Sequence, residues 1–538
     1  MKLERLHEYI LITVVTLLGI GLALYFGKLA GSGQGDRSLM FLLGFVALAL
    51  IIQMKARIWL LIPICAGIQG NLVGLPLPFS VRDLAIFMAF GAFLVFKALK
   101  IVNRKPAFNF IDFLLLVNLL MLLQAFIRNP TGTNAMGSDR VGGRPYVEVI
   151  IALMAYWVLN RAPATPKMFS TAIKGLLVAA GLDTALCALA TYFPSIGISI
   201  SRIYFNSTFG IETSETGTEL QQVAQNEEIV SRECYLAQIA MPLLLFLFSK
   251  YLPITLVNPL YIGRFILFLV GIVFLFAAGF RSRFFENANY FLLSSYFKKG
   301  MARLLPLLGI VVLILIAVSF LNGRLFKLPL PAQRVLSFLP GNWNYDAVQA
   351  AKSSSEWRFE IWRREMGGGW LEGNKYLHNK IIGDGFGADR VLFEQGVIAS
   401  AGDPSTESQQ ENAAIMGDVH SGPISTIRAV GYVGLILFLV FLVFLARYAW
   451  QLIIKAKGTP YELPTLFFGM PMIYMPVGFP FIFGAYYLDL PTLIIGLGIL
   501  KLLNYGLNEY NREKQAAAPV VLQNNATQFP VRPALGRI

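Results

Sequence analysis

The 538-residue chain is 56% hydrophobic and only 14% charged, whereas a soluble domain carries about 25% charged residues. The deficit extends along most of the chain, which excludes a soluble globular protein and indicates a polytopic membrane protein. The formal net charge of +14 does not indicate a nucleic-acid partner, because the positive residues lie between hydrophobic segments and not on one soluble face. The three cysteines, Cys65, Cys187 and Cys234, lie in or beside apolar segments and predict neither a disulfide framework nor a metal site.

A membrane-spanning helix needs about 20 mostly apolar residues, and fourteen segments approach that pattern. Segment 58–77 is interrupted by two glycines, an asparagine and a proline between residues 70 and 76, which predicts a broken or re-entrant segment. Segment 284–297 is short and polar, so the safer count is twelve to fourteen spans. The segments are residues 9–30, 38–54, 58–77, 82–99, 110–127, 145–160, 170–193, 233–249, 262–280, 284–297, 303–321, 424–446, 464–485 and 488–505.

Lysine and arginine are concentrated in alternate loops, and such loops mark the cytoplasmic side of a membrane protein. This pattern places both termini inside. Three outside segments nevertheless keep arginines: the first holds Arg140 and Arg144, the second holds Arg281 and Arg283, and the third is residues 322–423. Positively charged residues disfavour placement of a loop on the outer side of the membrane, so we expect a functional reason for some of these arginines. Ordinary surface exposure explains Arg140 or Arg144 alone.

The spans and loops define four parts of the chain. Residues 1–321 are predicted to form the N-terminal transmembrane helices, and residues 322–423 a large outer loop domain. Residues 424–507 are predicted to form the C-terminal transmembrane helices, and residues 508–538 a disordered cytoplasmic tail.

The sequence contains no P-loop, HExxH, CxxC or GxSxG motif. The predicted outer side instead offers arginines, which suit phosphate or pyrophosphate, and His420, which suits proton transfer near neutral pH. Pro423 fits the first turn of a helix, so His420 is expected just outside the helix, at the membrane interface. Spacing alone favours an interfacial histidine that caps a helix.

Four motifs together change that interpretation. In chain order they are GFRSRFF, SSEWRFEIW, IIGDGFG and DVHSGPISTIRAVGYVGLILF. Over residues 280–440 this set resembles the O-antigen ligase and polymerase superfamily, a family of polytopic glycosyltransferases. The matching positions are the pair Ser282-Arg283, the pattern from Arg358 to Trp362, the glycines Gly383, Gly385 and Gly387, and His420 followed by Gly431 and Gly434.

The chain also departs from the family pattern. Ser421 follows the histidine where the family often has asparagine. The family usually has small apolar residues after the Ser-Arg pair, but this chain has Phe284, Phe285 and Glu286. His378 precedes an asparagine, yet it lies before the glycine motif and not before a membrane helix, so it is not expected to be catalytic.

The resemblance implies an all-α polytopic fold similar to the GT-C glycosyltransferases. It further implies an inverting, metal-independent glycosyltransferase without a cofactor, in a bacterial inner membrane with its active site on the periplasmic face. The donor would be a glycan on undecaprenyl pyrophosphate, and the acceptor a lipid, a glycan or a protein. His420 would be the general base, Arg283 and Arg358 would bind the pyrophosphate, and Arg281 and Arg428 are weaker candidates.

Several alternatives remain open at this point. Ligase, polymerase and protein O-glycosylating enzymes share these motifs and differ in their acceptors. A transporter or flippase for the lipid-linked glycan is the rival of another class, although no repeated halves are evident. Asp183 lies inside a predicted span, where a carboxylate is either structural or functional, and the sequence does not decide which.

Overall fold

The protein is mostly helical over the residues that the computed structural model describes, and it contains one two-stranded sheet there. The predicted spans 9–30 and 38–54 lie almost wholly outside the described residues. His420 and Arg140 also lie outside them. The described residues are 49, 53–73, 79–100, 102, 104, 106–130, 142–201, 204–206, 232–367, 369, 371–374, 377–387 and 421–517.

Each predicted span from 82–99 onward coincides with a helix. The elements are, in chain order, α1 (Leu61–Cys65), β1 (Asn71–Leu72), α2 (Val81–Ala98), α3 (Phe110–Arg128), α4 (Arg144–Leu159), α5 (Pro166–Tyr192), α6 (Pro194–Ser201), β2 (Tyr204–Phe205), α7 (Leu236–Lys250), α8 (Pro253–Leu256), α9 (Ile262–Ala277), α10 (Arg281–Lys299), α11 (Met301–Leu321), α12 (Leu330–Leu336), α13 (Tyr345–Met366), α14 (Gly422–Ala456), α15 (Glu462–Phe481) and α16 (Tyr486–Ala517).

Short-range sequence signals fix where several helices begin. At the start of α2, Ser80 Oγ accepts a hydrogen bond from the Asp83 backbone N–H (3.2 Å), and Ser80 N–H donates to Asp83 Oδ2 (3.0 Å). This reciprocal capping box satisfies two backbone donors. Thr165 caps α5 with one bond, since its Oγ1 accepts from the Met168 backbone N–H (3.3 Å), and Pro166 occupies the first turn, where a missing N–H has no cost.

Five of the described helices are long and apolar enough to cross a membrane, which supports an all-α membrane protein. Two further apolar helices, α7 and α9, are shorter. Helices α2 and α10 carry charged residues at both ends, so they are not apolar enough to be included among these five. The count of twelve to fourteen membrane spans stays a prediction. The five are Phe110–Arg128, Pro166–Tyr192, Leu304–Leu321, Gly422–Ala456 and Tyr486–Ala516.

The interrupted segment 58–77 is broken, as predicted. A 3-10 turn over Lys55–Leu60 leads into the short α1, and the chain then leaves the helix and forms β1. Gly67 permits this path, because a Cβ there would lie 2.6 Å from the backbone oxygen of Leu176 on α5. The absence of a side chain therefore allows the broken segment to pack directly on α5.

Asp183 on α5 holds this broken segment in place. Its carboxylate accepts hydrogen bonds from the Gln69 backbone N–H (3.1 Å), from Asn206 Nδ2 (3.2 Å) and from the Tyr204 hydroxyl. Tyr204 lies on β2, which pairs antiparallel with β1. The buried carboxylate thus joins three separate pieces of chain, which gives Asp183 a structural role that the sequence could not reveal.

The C-terminal helices form the centre of the largest hydrophobic cluster. The apolar stretch of α16 is 72% buried, whereas that of α11 is only 6% buried. Tyr486 at the start of α16 packs against Phe438 of α14, with ring centroids 5.0 Å apart. Helix α16 is therefore a central helix, and α11 is peripheral.

Helix α16 continues to Ala517, ten residues past the predicted end of the C-terminal helices at 507. The extension has contacts that the hydropathy pattern did not show. Tyr510 packs edge-on against Tyr461, with ring centroids 6.3 Å apart, and Asn508 accepts a hydrogen bond from Lys455. The first ten residues of the predicted disordered tail are thus helical, and residues 518–538 lie outside the described part.

Candidate functional site

A cavity of about 560 Å³ lies between the broken segment, α5, α7, α10, α15 and α16. This volume is within the usual range of small-molecule sites, roughly 300–1,000 Å³. The wall is mostly apolar, with residues such as Leu176, Leu245, Phe467 and Ile499. The wall also includes the polar or charged side chains of Gln69, Arg82, Gln238, Ser282, Arg283, Glu286, Tyr290 and Thr492.

The polar residues lie toward the end of the cavity that the topology predicts to be outside. Helices α7 and α10 run side by side in the same direction, because Asn287 Nδ2 is 2.7 Å from Met241 Sδ and Ser294 Oγ is 2.5 Å from the backbone oxygen of Phe248. Gln238 is therefore level with the first turn of α10, which holds Arg283. Leu245 is two turns deeper, about 10 Å along the helix. The cavity thus has a polar end and an apolar interior.

Arg283 lines the cavity and is paired within its own helix. Its Nη1 is 2.8 Å from Glu286 Oε2, and the Tyr290 hydroxyl donates to the other oxygen of the same carboxylate. The Arg283 side chain is 47% exposed, so the remaining guanidinium donors can reach a ligand. Glu286, which departs from the family pattern, thus serves to orient Arg283.

Arg82 is a second cavity arginine, which none of the sequence motifs indicates. Its Nη2 is 3.0 Å from Glu148 Oε2 on α4 and 3.4 Å from Asp83 Oδ1. Arg82 is at the predicted outer start of span 82–99, so it breaks the same charge rule that drew attention to Arg281 and Arg283. The position of an arginine on the predicted outer side is thus the sequence signal that could have identified Arg82.

Arg281 and Arg358 lie close together between α10 and α13. Arg281 Nη2 donates to the backbone oxygen of Ala351 (2.8 Å) and to Ser355 Oγ (3.2 Å). Residues 351, 355 and 358 lie on one face of α13, and the positive charge of Arg358 acts on Arg281. Neither arginine has a carboxylate partner within the described residues.

Arg358 connects this pair to the cavity. Its Nη1 is 3.4 Å from the backbone oxygen of Ile482, and the next residue, Phe483, lines the cavity. Burial lowers the pKa of Arg358, since removing a cation from water disfavours its charged form. An anion beside Arg358 and Arg281 would offset that cost.

Arg428 has a different environment, and it is not among the cavity residues. Its Nη1 is 2.9 Å from Oε1 of Glu365, a fully buried residue on α13. Burial raises the pKa of Glu365, while the charge of Arg428 acts in the opposite direction. The anionic partner that an arginine at this position requires is thus supplied by the protein itself.

The glycine motif packs into a break in α14. Gly431 has φ +72°, which interrupts the helix, and Gly383 and Gly385 also have positive φ values of +75° and +78°. The Asp384 and Gly385 N–H groups donate to the backbone oxygens of residues 428 and 429 (2.7 and 3.0 Å). A Cβ on Gly431 would lie 2.1 Å from the Ile381 oxygen. These glycines therefore allow loop and helix backbones to bond directly.

His420 lies outside the described residues, and the structure begins again at Ser421. Ser421 has an extended backbone, and α14 starts at Gly422 with Pro423 in its first turn, as predicted. A Cβ on Gly422 would lie 2.3 Å from the backbone oxygen of Phe479 at the end of α15. The start of α14 is therefore packed against the same end of α15 that Arg358 contacts.

His378 is described and lies away from the cavity wall. Its side chain is 66% exposed, with Nδ1 3.5 Å from Asp384 Oδ2. The same carboxylate accepts the backbone N–H groups of His378 and Asn379. These contacts form a turn that leads into the glycine motif.

No model of a known protein family matches the chain, and no curated protein matches it either.

Proposed function

We propose that the protein is a membrane glycosyltransferase with a GT-C-like fold that moves a glycan from a polyprenyl pyrophosphate carrier to an acceptor hydroxyl. The single observation that carries this proposal is the cavity with a polar, arginine-bearing end and an apolar interior. That distribution suits an amphiphile with an anionic head group. Undecaprenyl pyrophosphate carrying a glycan is the donor that the motifs imply.

The arginines have separate tasks in this proposal. Arg281 and Arg358 have no carboxylate partner within the described ranges, so they would bind the pyrophosphate with their full charge. Arg283 would contribute the donors that Glu286 leaves unused, and Arg82 would act in the same way from α2. Arg428 would stabilise the junction of α13 and α14 through Glu365.

The reaction is a single displacement. The acceptor oxygen forms a bond to the anomeric carbon while the bond from that carbon to the pyrophosphate oxygen breaks. His420 takes the proton of the acceptor hydroxyl, and the pyrophosphate leaves with the electron pair. Arginines aimed at the pyrophosphate stabilise the charge that develops there. Attack from the face opposite the leaving group inverts the anomeric configuration.

The test is reconstitution of the purified protein in vesicles with a polyprenyl pyrophosphate glycan. We expect a new glycosidic bond and release of polyprenyl pyrophosphate. Chain growth would indicate a polymerase, transfer to a lipid acceptor a ligase, and transfer to a polypeptide a protein glycosyltransferase. Movement of intact donor between leaflets without any new bond would overturn the proposal in favour of a transporter.

A further inference from the structure

Gln238 on α7 has an environment that the proposed reaction does not yet explain. The residue is 7% exposed and belongs to the cavity wall, but its two amide atoms have almost no accessible surface, so the side chain must turn toward the cavity to meet a ligand. Neither its Nε2 nor its Oε1 has a hydrogen-bond partner among the described residues. A buried amide with both polar atoms unsatisfied destabilises the folded protein, so a bound group that pairs with it gains affinity.

The position of Gln238 defines which part of a ligand it meets. The contacts between α7 and α10 place it level with the first turn of α10, beside Arg283. Apolar residues such as Leu245 line the cavity deeper along the same helix. A group at Gln238 is therefore near the anionic head group and above the lipid chain.

The chemistry of the amide limits the group further. Nε2 donates hydrogen bonds and Oε1 accepts them. An ionised pyrophosphate only accepts hydrogen bonds, and a prenyl chain does neither, so each would leave Oε1 unpaired. A hydroxyl or an acetamido group both donates and accepts. Sugars carry these groups, and the first sugar of the donor is bonded directly to the pyrophosphate.

We infer that Gln238 binds the first sugar of the lipid-linked donor through a hydroxyl or acetamido group and so contributes to donor selection. This inference rests on the proposed function. It makes Gln238 a specificity residue, while Arg281, Arg283 and Arg358 bind any polyprenyl pyrophosphate irrespective of its sugar.

The experiment compares two ligands in lipid nanodiscs: polyprenyl pyrophosphate and polyprenyl pyrophosphate carrying one sugar. Gln238→Met keeps the side-chain length and removes both polar atoms. We expect its affinity for the sugar-bearing ligand to fall about tenfold, which corresponds to the loss of one or two neutral hydrogen bonds. Its affinity for the bare pyrophosphate should stay within about twofold on the same energy scale. Gln451→Met, at an exposed position on α14, is the matched control.

Two sugar-bearing ligands separate the possible partners. If an acetamido group binds Gln238, the loss occurs with a 2-acetamido sugar and not with its 2-hydroxyl counterpart; equal losses with both indicate a hydroxyl common to the two sugars. Either result supports the inference. Equal weakening of bare and sugar-bearing ligands, or no weakening of either, would overturn it. Gln238→Leu provides a second apolar variant if Gln238→Met does not fold.

Failure of the proposed function gives a different result. In that case the wild-type protein binds neither polyprenyl pyrophosphate ligand, or Arg358→Gln binds both as tightly as the wild type. If the wild-type protein binds neither ligand, the inference on Gln238 is overturned together with the proposed function. If it binds both, the ratio between the two affinities tests Gln238 alone, whatever the result for Arg358→Gln.

Discussion

Arg428 and Glu365 form a buried ion pair in which Arg428 Nη1 is 2.9 Å from Glu365 Oε1. The pair joins the broken end of α14 to α13, immediately beside the glycine motif that packs on residues 428 and 429. The arrangement gives Arg428 a structural role beside the candidate site.

Removal of one partner of this pair should destabilise the protein. Glu365→Ala leaves the Arg428 cation buried without its carboxylate, which typically costs about 3–5 kcal/mol. We expect a lower thermal unfolding temperature in detergent for Glu365→Ala than for the double variant Glu365→Leu, Arg428→Met, which removes both charges. Equal or greater loss in the double variant would show that a buried Arg428 cation lacking the Glu365 carboxylate is not what destabilises Glu365→Ala.

Gly431→Ala should prevent the loop containing Gly383 from packing on α14. The new Cβ would lie 2.1 Å from the Ile381 oxygen, and φ +72° strains any L side chain. We expect a large loss of monodisperse protein in size-exclusion chromatography. Gly309→Ala in α11 is the control, since no atom lies within 4 Å of the added Cβ, and alanine there should stabilise the helix by up to about 1 kcal/mol. Normal folding of Gly431→Ala would contradict the direct backbone contact.

Asp183→Ala should lower the stability of the folded protein, and it should lower activity only as a consequence of that loss. The substitution removes the Asp183 acceptor from the buried Tyr204 hydroxyl and Asn206 amide and from the part-buried Gln69 N–H, and loss of the acceptor of a buried donor costs about 1–3 kcal/mol. We expect a lower unfolding temperature and greater proteolysis of the segment around β1. A variant with wild-type stability and no transfer activity would instead place Asp183 in the reaction.

His420→Ala should abolish glycan transfer while protein levels in membranes stay normal. The reason is that the acceptor hydroxyl would have no general base. His378→Ala is the matched control, because His378 is exposed and lies away from the cavity wall. Full transfer by His420→Ala, measured as product formed from a defined lipid-linked donor, would exclude the role of a general base.

Arg283→Ala and Arg358→Gln should weaken use of the donor. Loss of a charge-assisted hydrogen bond to pyrophosphate corresponds to about tenfold or more in affinity. The measurement is initial rate against donor concentration, with Arg363→Gln as the control, since Arg363 lies on the exposed face of the same helix, α13. Rates that are unchanged at every donor concentration would remove the substituted arginine from the pyrophosphate site.

The positions of the helices follow from local sequence because their causes are local. Apolar runs long enough for a membrane, the capping box at Ser80 and Asp83, and Pro423 at the start of α14 are all visible without knowledge of partners. The same holds for the interruption in segment 58–77, where glycine and proline break the helical pattern.

The roles of the charged and polar residues depend on partners that are distant in the sequence. Asp183 meets a strand and a broken segment on either side of it in the chain, and Arg428 meets Glu365 across 63 residues. Arg82 and Gln238 enter the same cavity from α2 and α7. The sequence by itself determined where the chain is helical, whereas the tertiary structure decided which side chains share the cavity and which are paired elsewhere. The physical reason is that helix formation depends on neighbouring residues, while burial and charge pairing depend on how the helices pack.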